Sequence, residues 1–286
     1  MTKLYIFRNL YKIEYLLLSI IKYYSIAKCP HCGESKYDVV GRKFFFIRIL
    51  KCVNCLLYYM HPIYKTVISK NFYDRLYAAE DITTEVPTKE ELQRLMVSNF
   101  EGSPKDYSAR LKVLRGLFAK KCPLLLEVGS SWGYFLFQAN KYSFKADGVE
   151  ISSYRREVGK KDLGVNIYSD LTEVQGKYDL IYSCHSLEHF TDISDVFEVF
   201  SSLLVLDEGL LCIEVPNIDY ENIGKKVFNM MGAVHPLGYC ADFFRNNLAS
   251  YGLELIGVYE DWGSVFKKNV LFSTKGEIII VAKKIS

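Results

Sequence analysis

The stretch LLLEVGSSWGYFL, from Leu124 to Leu136, constrains this chain more than any other. A short apolar run ends in an acid, passes through a turn bounded by Gly129 and Gly133, and continues in a helix-like pattern. An apolar run closed by glycines is the pattern of a fully buried parallel strand. Glycine at the turn lets the backbone swing sharply where a side chain would collide with a ligand. Glu150 follows twenty-one residues after Gly129, at the end of a second apolar run, KADGVEI. An acid so placed accepts hydrogen bonds from both hydroxyls of a ribose. These features predict a nucleoside site at the carboxyl edge of a parallel sheet.

From Leu111 onward the alternation is regular. Strands are expected at Leu124–Val128, Ala146–Ile151, Asn166–Tyr168, Tyr178–Ser183, Leu210–Val215, Leu253–Tyr259 and Glu277–Ala282, and helices at Trp132–Tyr142, Ser153–Leu163, Ser194–Leu206 and Ala241–Tyr251. Such alternation gives an α/β fold, a parallel sheet with helices on both faces. No crossover-length helix joins the last two strands, so they should be antiparallel neighbours.

A dinucleotide site is the competing reading of the glycine turn. The spacing is E-x-G-x-x-x-G with Ser131 in its middle, not G-x-G-x-x-G. Glu127 precedes the turn, where it reaches a cationic amino group rather than a pyrophosphate. Further on, YDLIYSCHSLEHFTD (Tyr178 to Asp192) carries a dense set of polar groups. With these segments in this order, the chain resembles the class I S-adenosylmethionine-dependent methyltransferases over roughly Tyr107 to Lys284. Its LEHF segment resembles the Leu-Glu-His pattern after the fourth strand in the branch acting on small molecules and sugars.

The resemblance implies a Rossmann-like, seven-stranded, mostly parallel sheet with an antiparallel last strand, and S-adenosylmethionine as methyl donor. It puts Gly129, Ser131 and Gly133 at the methionine part, Glu127 at the amino group, Glu150 on the ribose and Asp170 at the adenine amino group. Asp170 has an alternative use as the cap of the turn before Leu171. Cys184 and His185 border the reaction space, and His185 touches the cofactor. Glu188 and His189, adjacent in sequence, are expected to point apart. His235, in HPLGYCADFF before the last helix, lies where the family often places a histidine near the acceptor. An imidazole suits removal of a hydroxyl proton, so His235, His189 and Glu188 are the catalytic candidates, with Tyr239 orienting His235.

The N-terminal part has a different character. Residues 1–75 carry 13 Lys/Arg against 4 Asp/Glu, the remainder 23 against 29. Cys29, Cys32, Cys52 and Cys55 form two C-x-x-C pairs separated by nineteen residues, the spacing of a zinc ribbon. Pro30 and Gly33 suit the first knuckle, whereas Leu56 and His61 stand where similar ribbons have glycine and asparagine. Four sulfur ligands leave no open position, so the Zn2+ is structural, with iron the main competitor. His31 is expected to face solvent. The ribbon strands should turn near Gly41-Arg42. Cys122, Cys184, Cys212 and Cys240 show no pairing pattern, which favours a reducing cytoplasm.

The expected organisation is an amphipathic helix (1–27), a zinc ribbon (28–71), a helical connector (72–106) and a methyltransferase domain (107–286). The longest charge-free run of the first segment, Tyr15 to Ile21, is far short of a membrane span. Ile6, Leu10, Ile13, Leu17, Ile20 and Tyr24 line one helical face and Arg8, Lys12, Ser19 and Lys22 the other. Docking on the protein itself is expected, and an interfacial membrane contact is the alternative. In the connector, Thr88 caps a helix with Glu91 three positions on, and EGSPKD (Glu101 to Asp106) reads as a linker.

The leading function is methyl transfer to a hydroxyl of a sugar or other small metabolite, with polysaccharide biosynthesis as a setting. An RNA methyltransferase would use the basic ribbon on phosphates, but no Asn-Pro-Pro-Tyr-type motif follows strand four, and a nucleic-acid partner is not expected. A non-catalytic nucleoside-binding scaffold is opposed by the retained Glu127, Glu150 and glycines.

Overall fold

A computed structural model describes residues 13, 16, 17, 19–63, 85–219, 231, 232, 234–267 and 276–286. The N-terminal module supplies β1 (Tyr37–Lys43), β2 (Ile47–Cys52) and β3 (Tyr58–His61). Two helices follow, α1 (Lys89–Val97) and α2 (Ser108–Arg115). Strands β4 (Leu124–Val128), β5 (Lys145–Val149), β6 (Asn166–Tyr168), β7 (Leu180–Cys184) and β8 (Leu210–Pro216) alternate with α3 (Tyr134–Lys141), α4 (Ser153–Val158) and α5 (Ile193–Leu203). The chain closes with β9 (Leu237–Gly238), α6 (Ala241–Asn247), β10 (Leu253–Tyr259) and β11 (Glu277–Lys284).

Seven strands form one sheet in the order β10-β11-β8-β7-β4-β5-β6. Its inner pairs are parallel, while β11 lies antiparallel between β10 and β8. The fold is thus the Rossmann-like arrangement expected, with β11 inserted. Leu125, Leu126, Leu180, Ile181 and Tyr182 are fully buried, because both faces of the sheet are covered and the central strands must be apolar throughout. From β4 the chain runs outward through β5 and β6, then returns to place β7 on β4's other side. That reversal opens a crevice beyond the carboxyl ends of β4 and β7, where such sheets bind ligands.

Two elements differ from their sequence pattern. Past α4, Gly159–Leu163 widens into a π-helical turn that stops at Gly164, left-handed at φ 67°. A Cβ on Gly159 would lie 2.5 Å from Ile167 Cδ1 and 3.0 Å from the Trp132 carbonyl oxygen, so glycine allows this turn to press on the sheet. The hairpin between β1 and β2 turns at Phe44–Phe46, not at Gly41-Arg42, because a bulge between Val39 and Gly41 shifts the register and lets the strand continue.

The connector is tied to the main sheet. Thr88 Oγ1 accepts from Glu91 N at 3.2 Å, the expected cap of α1. Leu92 and Phe100 share a core with Trp132, Phe135 and Leu136. EGSPKD is a docked strap as well as a link: Gln138 Nε2 donates to the Lys105 carbonyl and Tyr107 N to Gln138 Oε1, both at 2.9 Å.

The N-terminal strands do not form a separate sheet. Their order is β1-β2-β3-β9, so a strand from the loop after His235 completes the ribbon. Met60 N donates to the Pro236 carbonyl and Asn247 Nδ2 to the Cys55 carbonyl, both at 2.9 Å. Ile49, Leu50 and Leu57 share one core with Leu237, Phe243 and Phe244. His31 belongs to this joint and does not face solvent: its Nε2 meets Tyr251 Oη at 2.9 Å, and its ring stands edge-on to Phe243.

In the N-terminal segment Ile13, Leu16, Leu17 and Ser19–Ile21 are helical, and the remainder before Ser19 lies outside the described residues. Among the described positions the expected docking face is exposed, as is Lys22 of the polar face. Ile13 (54%), Leu17 (55%) and Ile20 (42%) are exposed, while Ser19, placed on the polar face, is fully buried.

Candidate active site

The crevice is a cleft of about 940 Å³, at the upper end of the roughly 300–1,000 Å³ of ligand pockets. Its floor is the β4–α3 turn. Gly129 (φ 84°) and Ser131 (φ 52°) are both left-handed there, and Ser131 N donates to Glu150 Oε2 at 2.9 Å. Glu150 Oε1 accepts from Ser152 N at 2.8 Å. The turn and the acid after β5 therefore hold each other in place. Gly133 lies behind this floor and does not line the cleft; its left-handed φ of 84° starts α3, and a Cβ there would lie 2.6 Å from Val165 Cγ2.

Asp170 borders the cleft but turns Oδ1 onto the amide (2.9 Å) and hydroxyl (2.7 Å) of Thr172, capping the 3-10 turn at Leu171–Glu173. Cys184 lines the wall, its Sγ 3.6 Å from Glu214 Oε2 and 3.4 Å from Arg110 Nη1. Arg110 pairs with Glu214 at 2.9 Å, so this network is a structural brace. His185 stands between Glu188 (3.7 Å) and Glu277 (3.2 Å). Burial alone would lower its pKa, but the two carboxylates push it up to about 10. It is an imidazolium at neutral pH.

Glu188 and His189 do not point apart. They sit on the 3-10 turn Leu187–His189, and His189 Nδ1 donates to the Val234 carbonyl at 2.7 Å. That anchor folds the ring back, and the ligating atoms of Glu188, His189 and His235 converge within 4.8 Å of one another. The His189 and His235 ring centroids are 4.5 Å apart. Burial lowers the His189 pKa to about 4 despite Glu188, so its ring is neutral and Nε2 carries the lone pair. The Tyr239 hydroxyl donates to the Leu187 carbonyl at 3.1 Å and holds the turn that carries Glu188. Lys105, on the strap, and Arg155, on α4, also line the cleft. Sequence reading missed both; the signal available was a cation two residues before α2's cap and another five after Glu150.

A family model described as a methyltransferase domain matches residues 100–256, more than half of the chain. The chain belongs to this methyltransferase family. No curated protein matches it in sequence. Among solved structures it is similar to magnesium protoporphyrin IX methyltransferase from Synechocystis PCC 6803 with bound SAH, at 15% identity and TM-score 0.50, covering 77% of this chain and 100% of that one. It is also similar to a TehB-like SAM-dependent methyltransferase from Corynebacterium glutamicum, at 16% identity, TM-score 0.49, and 68% and 97% coverage. The methyltransferase thus has the class I fold, the one in which that Synechocystis enzyme holds SAH.

The floor suits S-adenosylmethionine, the donor that the sequence resemblance implies. Glu127 is buried with Oε2 lacking a hydrogen-bond partner among the described residues, and the Ser130 and Ser131 hydroxyls are buried and unpartnered beside it. Burial, reinforced by the Glu150 charge, raises the Glu127 pKa well above the usual carboxylate range. A buried carboxyl without a partner is costly, and an ammonium group relieves it. Burial favours the protonated form of Glu127, and an arriving ammonium favours the carboxylate. Binding of S-adenosylhomocysteine should therefore release a proton, and affinity should rise with pH until Glu127 ionises unaided. Calorimetry in buffers of different ionisation enthalpy reads this release, which Glu127→Gln should abolish; buffer-independent heats in the parent protein would refute it.

Proposed function

We propose that the methyltransferase moves the methyl group of S-adenosylmethionine onto a hydroxyl oxygen of a small molecule, a sugar or glycan precursor being the leading class. The convergence of Glu188, His189 and His235 carries this reading. Glu150 and Asp170 follow β5 and β6 on one side of β4, whereas the three converging residues follow β7 and β8 on the other. The nucleoside and the acceptor so occupy opposite halves of one cleft. The donor supplies an activated methyl on sulfur. The chain's own residues orient the acceptor oxygen, exclude water and receive or direct the hydroxyl proton.

Incubation with S-adenosylmethionine and a panel of nucleotide sugars and small polyols, with S-adenosylhomocysteine measured by mass spectrometry, tests the acceptor class. His235→Ala should then lower turnover by ~10²-fold and leave S-adenosylhomocysteine affinity unchanged. Product formation on RNA alone would overturn the proposal.

A structural zinc in the ribbon belongs to the same proposal. The four sulfurs lie within 4.8 Å of one another, with Cys29–Cys55 at 3.4 Å and Cys32–Cys52 at 3.5 Å, and no disulfide joins them. Tetrahedral zinc holds its sulfurs about 3.8 Å apart, so the set fits. Leu56 takes the left-handed turn (φ 65°) at the position where similar ribbons have glycine, and the second knuckle closes.

The N-terminal module has an anionic membrane surface as its partner. Phe44 (72% exposed) and Phe45 (84%) form the hairpin tip, and Arg42 Nη1 donates to Tyr23 Oη (3.1 Å) beside the exposed helix stripe. Apolar groups projecting from a region with 13 cations against 4 acids match interfacial binding. Among the described residues no helix is long and apolar enough to cross a membrane. Co-sedimentation with phosphatidylserine vesicles should fall with salt and drop about tenfold in Phe44→Ser/Phe45→Ser. Equal binding to neutral vesicles, or none, would contradict it.

A further inference from the structure

We infer that Glu188, His189 and His235 form a divalent-cation site of the two-histidine, one-carboxylate type at the acceptor end of the cleft. The cation would be a mid-series transition ion such as Mn2+, Fe2+, Co2+ or Zn2+, because two imidazoles with one carboxylate suit these ions and leave coordination positions open. This site is separate from the ribbon, whose four thiolates close their metal off.

Three observations carry the assignment. The ligand atoms already lie within 4.8 Å of one another. Ligands held about 2.1 Å from a common ion are at most about 4.2 Å apart, so small side-chain rotations complete the set. Second, His189 is oriented as a metal-binding histidine is: Nδ1 donates to a backbone carbonyl, that of Val234 at 2.7 Å, which leaves the lone pair on Nε2. Val234 directly precedes His235, so one short segment supplies both a ligand and the group that orients another. Third, Glu188 is 5% exposed, and its Oε2 has no hydrogen-bond partner among the described residues. Its other oxygen lies 3.7 Å from His185 Nδ1. A buried carboxylate with an unpartnered oxygen, one of whose oxygens lies within 4.8 Å of two imidazole nitrogens, is satisfied by a cation.

The inference deepens the acceptor reading and rests on it only for its catalytic consequence. Three protein ligands leave room for two oxygens, so the preferred acceptor presents neighbouring oxygens, as a vicinal diol or hydroxyketone does. The cation binds the hydroxyl oxygen and lowers its pKa, and the proton leaves to solvent. The oxygen–methyl bond then forms as the methyl–sulfur bond breaks, with the electron pair staying on sulfur. The cation is unchanged.

The test uses the full chain with zinc in the ribbon, titrated with Mn2+ and followed by electron paramagnetic resonance, with neither methyl donor nor acceptor present. One saturable Mn2+ per chain is expected, weakened about 100-fold by Glu188→Gln, His189→Ala or His235→Ala. Retained S-adenosylhomocysteine binding shows that each variant is folded. Co2+ at the same site should give a spectrum without thiolate charge-transfer bands. Absence of saturable Mn2+ and Co2+ binding in the parent protein, or binding that survives all three substitutions, overturns the inference. Because metal binding is read without methyl transfer, failure of the acceptor reading leaves this result intact.

Discussion

Removing the proposed zinc from the ribbon should abolish methyl transfer while leaving the donor pocket able to bind. Four thiolates gathered at one end of a short sheet commonly depend on such a metal to hold their loops together. Its β3 pairs with β9, and Met60 N holds the Pro236 carbonyl one residue past His235. Loss of the ribbon removes the support of the His235 loop, and displacement of a catalytic group by about 1 Å costs on the order of 10²-fold in rate. The donor floor, built by β4, β5 and the turns after them, takes no lining residue from the ribbon. Turnover of Cys52→Ser should therefore fall at least ~10²-fold, with S-adenosylhomocysteine affinity within about threefold of the parent's, less than 1 kcal/mol. A point substitution is preferable to a chelator, which would also strip the Glu188 cluster. Full turnover in protein lacking the ribbon metal would contradict this dependence.

Gly129→Ala should damage the donor pocket itself. The residue is left-handed at φ 84°, a conformation that costs a non-glycine residue about 1–2 kcal/mol. The new Cβ would lie 2.4 Å from Ser186 Oγ and 2.7 Å from Ser186 Cβ, so the loop after β7 must move. Overpacking of this kind adds roughly 1–3 kcal/mol. Thermal unfolding should show a lower midpoint, and S-adenosylhomocysteine affinity should fall at least tenfold, about 1.4 kcal/mol. Adding Ser186→Gly removes the collision but not the backbone strain, so the pair should be non-additive. Parent-like stability and affinity in Gly129→Ala would show that the turn tolerates a side chain.

Much of the sheet was legible because its signals are local. Central strands buried on both faces read as unbroken apolar runs, and glycines with positive φ mark where they end. Glu127, Glu150 and the polar run after β7 could be placed from that frame alone, since the carboxyl edge of a parallel sheet collects such residues. A glycine that spaces a helix start, as Gly133 does, looks the same in sequence as one that admits a ligand.

What the sequence hid depends on contacts between distant segments. The pairing of Tyr58 and Tyr59 with Gly238 and Leu237 joins residues about 180 positions apart, and a two-residue strand has no periodicity to detect. The convergence of Glu188 with His189 depends on the carbonyl of Val234, which no local pattern reveals. Lys105 was hidden for another reason: Gly, Ser and Pro around it signal a linker, although the strap docks on α3 through Gln138. The apolar stripe of the first helix was legible, but its direction was not, because periodicity shows that a face exists and not what it meets.

The central claim is that the β4 turn and Glu150 form an S-adenosylmethionine pocket and not a dinucleotide site. Titration calorimetry with S-adenosylhomocysteine and, separately, with NAD tests it most directly. The geometry predicts one site per chain for S-adenosylhomocysteine, weakened in Glu150→Ala by about 1–3 kcal/mol through lost ribose hydrogen bonds, and no saturable heat from NAD. Tight NAD binding with none of S-adenosylhomocysteine would contradict it.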